Sequence, residues 1–111
     1  MDKKAFITQL GYDTNEHIIQ QMNSILNKNG NITKLFNHLI TLHDKLKHIN
    51  GFVAMSNSEN VLKIKCENSS PKLLEEFHEI VKKFKNKYKL NLKKLENKEV
   101  YYIVGFLYEQ R

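Results

Sequence analysis

The sequence predicts an α+β domain in which N-terminal helices precede a ββαββ unit. Three observations support this. The hydrophobic period shifts from 3.6 to 2 residues after Asn50-Gly51, returns to 3.6 after Ser70-Pro71, and gives way to a closing segment, residues 100–108, of apolar or aromatic type at nine consecutive positions. With 111 residues, a single proline and no Gly/Ser-rich linker, the chain is expected to form one domain. Residues 1–30 form a helical N-terminal extension and residues 31–111 an α-ββ-α-ββ core.

Residues 2–10 form a short amphipathic helix stopped by Gly11, which suits a left-handed cap. Asp13 followed by Glu16 has capping-box spacing. Ile18, Ile19, Met22, Ile25 and Leu26 then line one face as far as Gly30. Residues 32–49 predict a third helix with a broad stripe that includes Leu35, Phe36, Leu39, Leu42 and Leu46, suited to two packing neighbours.

Residues 52–56 are apolar on both faces, and the polar SNSEN turn follows. In residues 61–67, Leu62, Ile64 and Cys66 alternate with Lys63, Lys65 and Glu67, which completes a hairpin. Ser70 and Pro71 open the helix 71–88, whose apolar face carries Leu73, Leu74, Phe77, Ile80, Val81 and Phe84. Leu90 and Leu92 mark a third strand, and a turn near Glu96-Asn97-Lys98 leads into the last. Lysines on one face of the second and third strands suggest edges, and two-sided apolarity of the first and fourth suggests the centre. The expected order is therefore 2-1-4-3, with helices on both faces. Val104 is expected on a buried layer with Val100, Tyr102, Phe106 and Tyr108, opposite Tyr101, Ile103 and Leu107.

The net charge of +6 is concentrated in residues 82–98. Lys82, Lys83, Lys85, Lys87, Lys89, Lys93, Lys94 and Lys98 stand there against Glu96 alone, and the rest of the chain carries ten basic and eleven acidic residues. These eight lysines are the candidate polyanion-binding residues. Lysine neutralises phosphate but lacks the planar fork with which arginine reads guanine, and Arg111 is the sole arginine. A solvated helix face competes with this reading, since Glu75, Glu76 and Glu79 early in the helix and lysines late in it complement the helix dipole.

No catalytic, metal or phosphate-loop pattern stands out, so the chain is read as a non-enzyme without metal or cofactor. His43 falls within the apolar stripe of its helix and reads as a core or interface histidine. Asp44 and His48 have the spacing of a helix-supporting pair. Cys66, the single cysteine, excludes an internal disulfide and reads as a buried thiol. No apolar run approaches the ~20 residues of a membrane span, and the N-terminus lacks a secretory core. A cytoplasmic location without membrane association is expected.

The run LHDKLKHINGFVAMSNSENVLKI, residues 42–64, resembles the start of a roadblock/LC7 domain, where a helix leads through a glycine-containing turn into an apolar strand, a polar turn and a second strand. The order of elements matches over residues 32–108. Such domains generally form dimers and act as regulatory or scaffolding partners, often of small GTPases. The resemblance thus implies a non-catalytic dimerisation or adaptor module, a homodimer with a further protein partner. Tyr101, Phe106 and Tyr108 are the candidate interface residues if exposed. Nucleic-acid binding through residues 82–98 is the alternative.

Overall fold

A computed structural model describes residues 1–107 and shows the α+β class and the four-stranded antiparallel sheet that the sequence predicts. The elements are α1 (Lys3–Gln9), α2 (Glu16–Lys28), α3 (Phe36–Leu46), β1 (Gly51–Met55), β2 (Leu62–Cys66), α4 (Pro71–Tyr88), β3 (Leu90–Lys94) and β4 (Val100–Phe106). Tyr108 lies outside the described residues.

Asp2 caps α1 by accepting the Ala5 N–H at 2.8 Å. Gly11, with φ of 102°, ends it: the Gly11 N–H bonds the Thr8 carbonyl and the Tyr12 N–H bonds the Ile7 carbonyl, a Schellman motif. Asn15 rather than Asp13 caps α2, through its Oδ1 to the Ile18 N–H at 2.9 Å. The continuous helix expected over 32–49 is divided into 3-10 turns at Gly30–Leu35 and Lys47–Ile49 around α3. In the first turn the Thr33 hydroxyl bonds the Gly30 carbonyl, a local contact that competes with α-helical bonding. Asn50, in the left-handed region at φ 59°, then turns the chain into β1. A Cβ at Gly51 would lie 2.9 Å from the Leu46 Cβ, so the close approach of α3 to the start of the strand requires glycine.

The strand order is β1-β2-β4-β3, which corrects the expected 2-1-4-3. The two hairpins are as read, but they join through β2 and β4, with Ile64 opposite Tyr101 and Leu62 opposite Ile103. β1 lies at the edge despite its apolar residues because side chains bond its outer backbone. The Val53 N–H donates to His43 Nδ1 and the Met55 N–H to Tyr12 Oη, both at 3.0 Å. β2 is central despite its lysines because Lys63 and Lys65 point away from the helices.

Helical cover is also one-sided, where sequence predicts it on both faces. Phe6, Ile7, Met22, Ile25, Leu39, Leu46, Phe77 and Val81 form one cluster with Val53, Met55, Leu62, Ile64, Cys66, Leu90 and Ile103. Register places all of these sheet residues on the same face. Phe6 and Phe36 stack within the cluster, ring centroids 4.1 Å apart. The opposite face holds a small cluster of Val61, Val100 and Tyr102, against which Leu95 packs. There the Tyr102 hydroxyl bonds Ser56 and Ser58 of the hairpin turn, at 3.1 and 2.9 Å.

Val104 is 43% exposed, against its expected burial. Asn91 pairs with Gly105 and Leu92 with Ile103, so Val104 is the extra residue of a bulge. The bulge reverses the alternation and moves Phe106 to the helical face with Tyr101 and Ile103. Ile103→Ala should therefore cost about 2–5 kcal/mol in urea denaturation, while Val104→Ala stays within about 0.5 kcal/mol.

His43, 8% exposed, is the core histidine expected from sequence. Because Nδ1 accepts the Val53 N–H, the neutral ring carries its proton on Nε2, and protonation of Nδ1 would break the bond. Burial, followed by the nearby Lys47 charge, holds its pKa below the ordinary value, against a smaller opposing influence of Asp44. A depressed folded-state pKa means that the unfolded chain binds the proton first. The stabilisation is full above the unfolded value and is lost as pH falls through the folded one. Denaturation from about pH 7.5 down to about pH 5 should show declining stability that His43→Gln lacks, measured in a His48→Gln background to remove a titration of opposite sign.

Candidate functional site

α3 and α4 lie side by side on the helical face and are joined at both ends of their seam. At one end His38 Nδ1 accepts the Tyr88 hydroxyl at 2.9 Å, and the two rings stack with centroids 4.5 Å apart. At the other, His48 donates from Nδ1 to the Lys45 carbonyl at 2.7 Å and from Nε2 to Glu76 at 3.0 Å. Two donated bonds require the imidazolium, and the bond to Glu76 is the largest influence raising the His48 pKa. The expected Asp44–His48 pair does not form. Asp44 meets Lys47 at 3.1 Å, one residue nearer in sequence, while His48 crosses to α4.

Between these clasps the helices part over a groove of about 180 Å³. Leu42, Ile80, Phe84 and Tyr88 supply its apolar surface, and Lys45, Lys83 and Lys87 supply its charge. Lys83 and Lys87 are one helical turn apart, and α3 contributes Lys45 from across the seam. Lys87 Nζ also lies 5.4 Å from the Tyr88 ring centroid, within cation–π range.

The structure thus divides the lysine-rich segment. Lys83 and Lys87 belong to the groove. Lys82 is exposed, Lys85 is half-buried, and Lys89 forms the left-handed cap of α4 at φ 54°. Lys93 pairs with Tyr102 on the opposite side of the sheet, and Lys98 lines a hollow of about 400 Å³ there with Lys63, Lys65, Ser58 and Tyr102. Lys94 Nζ bonds the Lys98 carbonyl at 3.0 Å and holds the β3–β4 turn. Sequence reading missed Lys45, Lys63 and Lys65, which are distant in sequence from the cluster. A helical projection aligning residues 41, 42 and 45 was the available signal for the first.

Of the candidate interface residues, Tyr101 and Phe106 are half-buried against the main cluster. Tyr101 Oη bonds His78 Nδ1 at 2.6 Å and His78 Nε2 meets Glu99 at 2.5 Å, a chain that ties α4 to β4. Burial raises the Tyr101 pKa, with Glu99 adding to the effect, so the phenol stays protonated. Among the described residues of this stretch, the exposed large apolar ones are Val104 and Leu107. Cys66 is buried, its thiol donates to the Ile49 carbonyl at 3.3 Å, and burial pushes its pKa up, which disfavours the reactive thiolate. Among the described residues no group of three or more His, Cys, Asp or Glu side chains could hold a metal ion, and no helix is long and apolar enough to cross a membrane.

No family model matches the chain, and no solved structure matches it. Among curated proteins it is similar to the trans-activating transcriptional regulatory protein of Autographa californica nuclear polyhedrosis virus, at 28% identity over 103 residues. That alignment covers 82% of this chain and 18% of the relative's length.

The His48 clasp can be checked directly. Glu76→Gln should return the His48 pKa toward the ordinary histidine value in an NMR titration, because it removes the bond that chiefly raises it. An unchanged titration would show that the two side chains do not pair in solution.

Proposed function

We propose that this chain is a non-catalytic interaction module of a regulatory protein, an adaptor that works by binding another protein on its helical face. The observation that carries the reading is the α3–α4 groove, an apolar surface left between two helices and framed by three lysines. The similarity to a trans-activating transcriptional regulatory protein supports a regulatory role. The roadblock/LC7 resemblance of residues 42–64, which span the end of α3 and the β1–β2 hairpin, supports the adaptor class, and homodimerisation is the form of association it implies.

Polyanion binding is the second reading, favoured by Lys63, Lys65 and Lys98 around the hollow on the other face and by Lys93 nearby. The stems of Lys63 and Lys65, both half-buried, also lie over that face, a structural role that competes with ligand binding.

A reporter assay tests the regulatory reading. The chain fused to a heterologous DNA-binding domain should change reporter transcription, and combined Lys45→Glu, Lys83→Glu and Lys87→Glu substitutions should remove the change while the thermal midpoint is kept. No effect of the parent chain on transcription would overturn the regulatory role.

A further inference from the structure

We infer that the α3–α4 groove takes a short acidic peptide segment that anchors one large apolar side chain between the helices. The inference rests on the regulatory reading above and names the chemistry of its partner. It follows from three features of the groove.

The first is size. A volume of about 180 Å³ lies below the roughly 300–1,000 Å³ of a typical small-molecule site, and it suits one phenylalanine or leucine side chain. The second is composition. Leu42, Ile80 and Phe84 give the anchor an apolar bed, whereas a phosphate or a bare carboxylate would lose hydration against them without a hydrogen-bonding return. The third is charge. Lys45, Lys83 and Lys87 frame the bed and no acidic side chain among the described residues lines it, so carboxylates flanking the anchor would meet lysines on both helices.

The acidic half of α4 sharpens this assignment. Glu76 is held by His48, and neither Glu75 nor Glu79 lines the groove, so the carboxylates of α4 leave the lysines to an incoming ligand. Thr41 and His38 add polar groups at the α3 side, where a peptide backbone can bond. The His38–Tyr88 and His48–Glu76 clasps keep the helices at a fixed separation, so the bed exists before the peptide arrives.

The test uses the 111-residue chain and fluorescein-labelled synthetic peptides, read by fluorescence anisotropy. One peptide carries aspartates around a single phenylalanine, and a second has serine in its place. The first should bind and the second should bind at least about tenfold more weakly. Lys83→Gln combined with Lys87→Gln should weaken the first by about tenfold or more, with an unchanged thermal midpoint, because both side chains are exposed. NMR shifts on binding should centre on Thr41, Ile80 and Phe84.

Equal binding of the two peptides would overturn the anchored mode, since charge alone would then suffice. Equal binding by the variant would overturn the location. A labelled single-stranded oligonucleotide that binds where the peptides do not, and is lost in the variant, would assign these lysines to phosphate instead. Dimerisation in light scattering that the variant abolishes would make a second copy of the chain the occupant and overturn the peptide assignment. Failed peptide binding beside a reporter response that depends on the lysines would remove the acidic anchor and leave the regulatory reading standing.

Discussion

The outer edge of β1 is the constraint on which the fold turns. An exposed edge strand rich in apolar residues invites pairing with another chain, and its outward carbonyls and amides are costly to leave unbonded where they are buried. Here the outward amides of Val53 and Met55 are taken by His43 and Tyr12. Each partner is delivered by local chemistry at a distance in sequence. Tyr12 arrives because Gly11 adopts the left-handed conformation that closes α1, and His43 because it sits on the buried face of α3 four residues after Leu39. The Gln21 amide adds a bond to the Ser56 carbonyl at 2.9 Å, just beyond the end of the strand. Residues 1–30 therefore share the fate of the sheet. Phe6, Ile7, Met22 and Ile25 lie in the same cluster as the strands.

Closure of that edge by side chains determines where the remaining surface goes. With α1, α2 and α3 gathered toward β1, α4 covers the strands on the far side of the same face, where Phe77 packs 5.9 Å from Tyr101. All four helices then lie on one face of the sheet, and the seam between α3 and α4 has to accommodate both of their side-chain rows. It is joined through histidines at its ends and stays open between them. The groove is thus a product of the fold's asymmetry. A sheet covered on both sides would have separated these two helices and left Lys45 remote from Lys83.

Local patterns were legible in the sequence wherever a single element determined them. The hairpins, the Ser70-Pro71 start of α4, the burial of Cys66 and the core position of His43 follow from period, turn residues and face. What escaped depends on contacts between elements. The strand order escapes the sequence because the lysines on β2 mark a face without helices, a pattern that an edge strand shares. Val104 was misplaced because strict alternation carries no sign of a bulge, and Gly105 beside it was the available hint. His48 chose Glu76 over Asp44 for a reason visible only once α4 packs next to the end of α3.

Charge gives the last step. Eight lysines in seventeen residues read as one field in sequence, yet the fold sends them to two sides of a sheet. A single extended polyanion cannot follow both sides without wrapping β3, whose free edge carries Lys93 and Lys94. The lysines nevertheless differ in what lies beneath them. On the open face, Lys63 and Lys65 are half-buried, their stems lying over the sheet and one ammonium 3.8 Å from Glu67, so part of their chemistry is already committed. Along α4, Lys83 and Lys87 are exposed beside an apolar bed that nothing in the described chain fills. A ligand in the groove meets lysines and apolar surface with no carboxylate among the described lining residues, while the hollow on the open face, with Leu95, Val100 and Tyr102 in its lining, also includes Glu99, which opposes an anion there. The proposed peptide therefore finds its better match in the groove.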